Sequence, residues 1–123
     1  MGSYSSTEHG DLTATEEKVR KQIQDYPVLM YSTTVCGWCR RAKGELDKMK
    51  VEHTEVKLDS EPDGLKIAQV LTQITKQRTV PNIFIGGKHL GGYDNLMKGV
   101  AAGTLEQSFK ESHISYDPAY FTY

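Results

Sequence analysis

Apolar residues recur along this chain at two different spacings, and the change from one spacing to the other predicts where helices and strands lie. Val19 and Ile23 are four residues apart, as on one face of a helix, whereas Val28–Ser32 is a short, nearly continuous apolar run that is typical of a buried strand. The stretch 54–58 alternates with charged residues, as expected of a half-buried strand. The predicted elements are, in chain order, a helix over 13–26, a strand over 28–32, a helix over 39–49, a strand over 54–58, a helix over 65–75, strands over 82–85 and 88–90, a helix around 96–100 and a helix over 104–111.

Capping and turn residues set the ends of these elements. The residues from Thr13 to Glu16 read T-A-T-E, which is a capping box for the first helix, and Pro27 ends that helix. The pair Gly86-Gly87 allows the positive φ angles of a two-residue hairpin turn. Alternating helices and strands followed by a hairpin predict an α/β fold, in which a four-stranded mixed sheet has helices on both faces.

The two ends of the chain differ in character. Residues 1–12 are small and polar without periodicity, so we expect a flexible N-terminal tail before a domain over 13–111. The segment 112–123 forms an aromatic C-terminal tail. Such aromatic density is unusual in a disordered tail, so we expect part of it to pack on the domain surface, with ordinary fraying as the alternative.

Length and charge narrow the classes of partner. With 123 residues and 37% hydrophobic content, the chain has the size of one domain with one core. Its 15 basic and 16 acidic residues give a net charge of -1, which argues against a nucleic-acid partner. No apolar run approaches the roughly 20 residues of a membrane span, and the N-terminus lacks the layout of a secretory signal. We therefore expect no membrane partner and a cytoplasmic location.

The chemistry centres on Cys36-Gly37-Trp38-Cys39, which contains the only two cysteines of the chain. Because a strand delivers this C-x-x-C motif to the start of a helix, the free amides and positive end of that helix stabilise a thiolate. Basic residues follow at Arg40, Arg41 and Lys43, so we expect the pKa of the Cys36 thiol to lie well below that of a free cysteine. Cys36 is the predicted nucleophile, and Cys39, one turn farther in, can resolve a mixed disulfide.

Two other interpretations of the cysteine pair are weaker. Two nearby cysteines can simply pack in a core, but a strand-to-helix C-x-x-C is typical of a redox pair. A zinc site needs two further ligands, and the chain has no other cysteine. The histidines lack the H-x3-5-H spacing of a zinc site; they are His9, His53, His89 and His113.

Two more segments carry candidate chemistry. Thr79-Val80-Pro81 precedes a strand; the proline either marks the strand start or is a cis proline that leaves the Val80 backbone free to pair with a peptide-like substrate. Gly91–Asn95 joins a strand to a helix and is either a hairpin exit with an Asx cap or a ligand site. In the second case, helix-start amides hold a carboxylate while Asp94 pairs with an ammonium group, as in an α-amino acid.

Together with the C-x-x-C, these segments resemble a dithiol glutaredoxin over residues 15–112. The resemblance rests on Tyr31-Ser32 before the motif, on Q-R-T-V-P-N at 77–82 and on G-G-x-D at 91–94. It implies a thioredoxin-like fold and a monomer that uses glutathione to reduce protein–glutathione mixed disulfides and low-molecular-weight disulfides. It also implies that the glutathione cysteine pairs with Val80. The implied glutathione-binding residues are Trp38, Gln77, Arg78, Thr79, Val80, Pro81, Gly92, Tyr93, Asp94 and Asn95.

The γ-glutamyl end of glutathione is expected at Gly92 to Asn95, and its glycine carboxylate near Arg78 and Trp38. The sequence departs from the family around that carboxylate. Thr33 stands where the family usually has a lysine, Ala68 where a helix often supplies a glutamine, and Asn95 replaces an aspartate. We expect Arg78, helped by Gln77, to hold the carboxylate, so that glutathione binds weakly. A glutathione conjugate with an amidated glycine end, which needs no cation, is a further variant.

The motif itself departs from the family, because Gly37 and Trp38 replace the usual proline and tyrosine. In glutaredoxin relatives without that proline, a [2Fe-2S] cluster bridges two subunits through the equivalent of Cys36 and two glutathione thiols. The alternative function is therefore a cluster carrier or redox sensor that dimerises through the cluster, although Trp38 crowds the dimer contact. A thioredoxin-type general reductase is disfavoured, since that family has tryptophan where this chain has Val35.

Overall fold

A computed structural model describes the backbone of residues 2–122 and the side chains of residues 12–122. The side chains of residues 1–11 are not described, so the flexible tail expected over 1–12 stays a prediction. The elements are α1 Gly2–Asp25, β1 Val28–Ser32, α2 Gly37–Lys48, β2 Thr54–Lys57, a 3-10 turn Leu58–Ser60, α3 Gly64–Thr75, β3 Asn82–Ile85, β4 Lys88–Gly91, α4 Tyr93–Ala102, α5 Thr104–Glu111 and a second 3-10 turn Pro118–Phe121.

The order of helices and strands is the one predicted, and the differences are at element ends. Helix α1 is continuous through Thr13, so the predicted capping box there does not begin the helix. Leu12 packs against the same core cluster as Val19 and Ile23, which extends the apolar stripe before the expected start. Leu58 belongs to the first 3-10 turn and not to the strand before it.

The sheet has four strands in the order β2-β1-β3-β4. Strand β1 pairs in parallel with β2 and antiparallel with β3, and β3 pairs antiparallel with β4, so the sheet is mixed as predicted. Every residue of β1 is buried, which explains why Val28–Ser32 reads as a continuous apolar run. This buried strand ends at Ser32, four residues before Cys36 of the C-x-x-C motif.

A separate core cluster covers each face of the sheet. One contains Leu29 of β1 with Ile67 of α3 and partly buried residues of α1. The other contains Met30 of β1 with Leu46 of α2, along with core residues of α4 and α5. Alternate residues of β1 thus point into opposite clusters, as the period of a strand requires. Helices cover both faces of the sheet, as predicted.

The aromatic C-terminal segment packs against the second of these clusters. Tyr116, Tyr120 and Phe121 all contact it, and the Asp117 N–H donates a 2.7 Å hydrogen bond to the carbonyl oxygen of Met49. Part of the segment therefore packs on the domain as expected, and fraying of the whole segment does not describe it. No helix in the described part of the chain is long and apolar enough to cross a bilayer.

Candidate active site

The loop between β1 and α2 leads into the C-x-x-C motif and is hydrogen-bonded to the carboxylate of Asp59. The Thr34 N–H donates to both carboxylate oxygens of Asp59, at 3.0 and 3.1 Å. This hydrogen bonding from Thr34 lowers the pKa of Asp59. The residue before the motif, Val35, is 85% exposed and contributes nothing to the core. The loop is thus fixed at Thr34 and exposed to solvent at Val35.

Cys36 is the N-cap of α2. Its backbone is extended (φ -149°, ψ 105°), and its Sγ accepts a 3.1 Å hydrogen bond from the N–H of Cys39. The two cysteines form a disulfide with a Cα–Cα separation of 5.3 Å, and Cys39 is only 2% exposed, whereas Cys36 is half-buried. In the reduced protein a thiolate at this position meets the first free amides and the positive end of α2. The geometry therefore supports the predicted division into an outer nucleophile and an inner resolving cysteine.

Val80 is the backbone neighbour of the reactive sulfur. The Sγ of Cys36 lies 3.9 Å from the carbonyl oxygen of Val80. The Val80-Pro81 peptide bond is cis, as predicted. Within the described residues, neither the N–H nor the carbonyl of Val80 takes part in a backbone hydrogen bond. A peptide-like ligand can therefore pair with this edge beside the sulfur.

A groove of about 610 Å³, here called the α4 groove, starts at Val80 and runs to the beginning of α4. The structure brings together here every predicted glutathione-binding residue except Arg78. The lining residues are Trp38, Gln77, Thr79, Val80, Pro81, Gly92, Tyr93, Asp94, Asn95 and Lys98.

The start of α4 faces this groove without a side-chain cap. Gly92 is the N-cap and no side chain hydrogen-bonds to the first turn, so the alternative of an Asx cap is not what forms here. Gly91 has a φ of +120°, and a Cβ at this position would collide with the side chain of Asn95. The amides of the first turn are left for an anionic ligand.

A second groove of about 740 Å³, here called the α3 groove, lies on the other side of Val80. It brings together Thr33, Ala68 and Arg78, three of the positions that the family resemblance linked to the glycine carboxylate of glutathione. Val80 lines both grooves. Arg78 forms no ion pair or hydrogen bond with any described residue. The two grooves therefore meet at Val80.

The structure separates Trp38 from Arg78, which were expected around one carboxylate. Trp38 lies against Tyr93 with ring centroids 5.3 Å apart, and the Arg41 guanidinium lies 4.9 Å from the Trp38 ring on α2 itself. These contacts hold the indole at the α4 groove, whereas Arg78 lines the α3 groove. Trp38 therefore lines the α4 groove, and its expected place near the glycine carboxylate stays a prediction.

Comparison with known proteins agrees with this geometry. The family model described as Glutaredoxin matches residues 28–90. Glutaredoxin-1 of Rhizophagus irregularis is 38% identical over 96 residues, which is 78% of this chain and 95% of that protein. The chain belongs to the glutaredoxin family. Glutaredoxin-C1 of Arabidopsis thaliana is 37% identical over 111 residues, covering 85% of this chain and 86% of the relative.

The fold is also that of solved glutaredoxins. The crystal structure of a buckwheat glutaredoxin–glutathione complex superposes with a TM-score of 0.80 at 38% identity, covering 83% of this chain and 93% of that one. The four-stranded sheet is therefore the thioredoxin-like fold that the resemblance implied. Glutaredoxins are thiol oxidoreductases, and in this member the two cysteines of the C-x-x-C are in disulfide contact.

Two basic residues of this glutaredoxin line the grooves without having been predicted. Lys66 lies in the α3 groove beside Ala68 and Arg78. Lys98 lies in the α4 groove, four residues after Asp94 on α4, and forms no ion pair with it. No sequence signal marks either residue, because an exposed lysine on a helix is ordinary.

Proposed function

We propose that this glutaredoxin is a glutathione-dependent thiol-disulfide oxidoreductase that reduces protein–glutathione mixed disulfides and low-molecular-weight disulfides. The observation that carries the proposal is the position of Val80, which lies 3.9 Å from the Cys36 Sγ and lines both grooves. A glutathione whose cysteine pairs with the Val80 backbone has its sulfur next to Cys36 and its two ends in different grooves. The buckwheat relative, solved as a glutathione complex, supports the same ligand.

The charges of the two grooves suit the two ends of glutathione. In the α4 groove, Asp94 pairs with the γ-glutamyl ammonium, while the first-turn amides of α4 and Lys98 hold the neighbouring carboxylate. In the α3 groove, Arg78 and Lys66 face the glycine carboxylate. Lys66 takes over part of the role that we expected Gln77 to share with Arg78.

The reaction needs one nucleophile and one orienting edge. The Cys36 thiolate attacks the glutathione sulfur of a protein–glutathione mixed disulfide; a new sulfur–sulfur bond forms, the old one breaks, and the protein thiolate leaves and takes up a proton. A second glutathione thiolate then attacks the Cys36–glutathione disulfide, which releases glutathione disulfide and restores Cys36. One free glutathione is thus consumed per turnover, and the disulfide bond passes from the protein–glutathione pair to glutathione disulfide. In the alternative branch, Cys39 attacks Cys36 and releases reduced glutathione, which gives the disulfide of this structure.

Turnover of a glutathionylated peptide by cysteine variants tests this proposal. We expect Cys36→Ser to abolish turnover and Cys39→Ser to retain most of it, because both steps take place at the Cys36 sulfur, whereas the second step can use glutathione in place of Cys39. Turnover by Cys36→Ser at the wild-type rate would show that the proposal is wrong. The monomeric state and the cytoplasmic location stay predictions from the sequence.

A [2Fe-2S] cluster carrier or sensor is the second candidate. The observation that favours it is the space at Gly37, where a Cβ would meet no atom within 4 Å, so that the face beside Cys36 is open. The cluster would be held by Cys36 from each of two subunits and by two glutathione thiols, and would supply electron transfer or iron delivery. Anaerobic reconstitution with iron, sulfide and glutathione tests it: a coloured dimer that Cys36→Ser cannot form supports this function, and a colourless monomer contradicts it.

A further inference from the structure

Gln77 has contacts that a direct glutathione ligand would not need. Its Nε2 donates one hydrogen bond to the carbonyl oxygen of Thr79 and another to that of Pro81, both at 2.9 Å. An amide nitrogen has two hydrogens, so both donors of this side chain are used within the loop. Gln77 therefore has no donor left for a carboxylate of a ligand in the α4 groove.

The two bonds join the carbonyls on either side of Val80. Val80 itself is not bonded by Gln77, and its carbonyl oxygen remains 3.9 Å from the Cys36 Sγ. We call the two hydrogen bonds from Gln77 Nε2 to Thr79 and Pro81 the clamp. Gln77 is itself bonded to the end of α3, because its backbone N–H donates a 3.1 Å hydrogen bond to Thr75 Oγ1. Gln77 thus bonds the loop on both sides of Val80 through its side chain, and the end of α3 through its backbone N–H.

We propose that Gln77 is a positioning residue, which holds the Val80 backbone edge in the place where it pairs with the cysteine of glutathione. This inference rests on the function proposed above and adds to it a residue that acts through Val80. Without the clamp, the loop loses two hydrogen bonds between partly exposed groups and adopts other conformations. A smaller fraction of the molecules then has the Val80 backbone in position beside Cys36. Loss of the clamp therefore weakens recognition of the glutathionyl group and leaves the reactivity of the Cys36 thiol unchanged.

The test uses two substitutions of similar length, Gln77→Met, which is uncharged and cannot donate, and Gln77→Glu, which is ionised and cannot donate. The substrates are one peptide whose cysteine is disulfide-bonded to glutathione, to γ-glutamylcysteine or to free cysteine. We expect kcat/KM for the glutathionyl peptide to fall about tenfold in both variants, from the loss of two modest hydrogen bonds. The rate of Cys36 alkylation by iodoacetamide, which needs no backbone pairing, should stay at the wild-type value.

The γ-glutamylcysteinyl peptide separates a positioning role from direct binding. It keeps the cysteine that pairs with Val80 and lacks the glycine carboxylate, so a positioning residue causes the same loss with it. A loss confined to the glutathionyl peptide would make Gln77 a carboxylate ligand and overturn the proposal. Unchanged kcat/KM in both variants, or an equal fall in kcat/KM and in the alkylation rate, would also overturn it.

The wild-type protein provides the control for the underlying function. If it does not prefer the glutathionyl peptide over the cysteinyl one, glutathione dependence itself is wrong. If that preference is present and Gln77→Met keeps it, only the role of Gln77 is wrong. Thermal unfolding of each variant, with a Tm near that of the wild type, shows that the comparison is between folded proteins.

Discussion

The Sγ of Cys36 and the carbonyl oxygen of Val80 lie 3.9 Å apart, although the two residues belong to different loops of the fold. Cys36 is placed by the start of α2, and Val80 by the loop before β3. A ligand that pairs with Val80 therefore has its sulfur at the nucleophile. Because Val80 also lies between the two grooves, the charges of each groove can be tested against one end of the ligand at a time.

At the glycine end, we predict that Arg78→Ala and Lys66→Ala each raise KM for the glutathionyl peptide about threefold, and that kcat changes little. The effect is small because both side chains are exposed and their attraction to a carboxylate is screened. Arg78→Lys, which keeps the charge, is the matched control. With the γ-glutamylcysteinyl peptide, which lacks the glycine carboxylate, the same substitutions should have no effect, and an equal effect would place the two cations elsewhere.

The opposite change tests the same groove. Restoring the residue types that the family usually has, by Thr33→Lys or Ala68→Gln, should lower KM for the glutathionyl peptide about threefold, since each adds a carboxylate partner to the α3 groove. Fluorescence of Trp38, the only tryptophan, provides an independent binding measurement because it lines the neighbouring α4 groove. An unchanged or higher KM in both variants would contradict the location assigned to the glycine end.

At the γ-glutamyl end, we predict that Asp94→Asn raises KM for the glutathionyl peptide about fivefold and that Lys98→Ala raises it about twofold. Asp94 offers the carboxylate for an ammonium, whereas Lys98 supplements the helix-start amides that hold the neighbouring carboxylate. Acetylation of the glutathione ammonium should remove the effect of Asp94→Asn and leave that of Lys98→Ala. Equal losses for the acetylated and free ligands would show that Asp94 does not pair with the ammonium.

The C-terminal segment predicts a dependence of stability on pH. The Tyr120 hydroxyl donates a hydrogen bond to Glu45 on α2 and lowers the pKa of that carboxyl in the folded protein. A carboxyl with a lowered folded pKa contributes stability above its unfolded pKa, near 4.3, and loses it as the pH falls through the folded value. We therefore predict that Tyr120→Phe lowers the free energy of unfolding by about 1 kcal/mol at pH 7, and that the difference from wild type narrows below about pH 4.

The control for this prediction is Glu45→Gln, which keeps an acceptor for Tyr120 and does not titrate. In that background, the cost of Tyr120→Phe should be independent of pH between about 3 and 7. Denaturant unfolding of the four proteins at several pH values gives the comparison. If Tyr120→Phe lowers the free energy of unfolding by the same amount at every pH in the wild-type background, the Tyr120–Glu45 hydrogen bond does not lower the pKa of Glu45.

Local patterns were enough to predict the parts of the site that lie on single elements. The buried run Val28–Ser32 and the C-x-x-C at a helix start are read from neighbouring residues. For Gly91–Asn95 the sequence left an Asx cap and a ligand site open, and the structure has no side-chain cap there. Contacts between elements were not predictable in this way. Trp38 was expected beside Arg78, but contact with the ring of Tyr93, a residue distant in the chain, holds it in the other groove.

The basic residues show the same limit. Lys66 and Lys98 read as ordinary exposed helix residues, because nothing in their neighbours indicates which groove the folded helix will line. Gln77 was expected to help hold a carboxylate, but the path of the loop brings two carbonyls within reach of its amide. The sequence thus predicts which elements carry the chemistry, whereas the groove that each residue lines depends on packing.

The most direct test of the account is to identify which half of the substrate is transferred to Cys36. The Cys39→Ser variant, which cannot close the internal disulfide, is mixed with a glutathionylated peptide in the absence of free glutathione, and the intact protein is analysed by mass spectrometry after one turnover. If the Val80 edge and the two grooves position glutathione beside Cys36, the protein gains a glutathione adduct and the peptide is released with a free thiol. A peptide adduct on Cys36, or no adduct at all, would contradict the central claim.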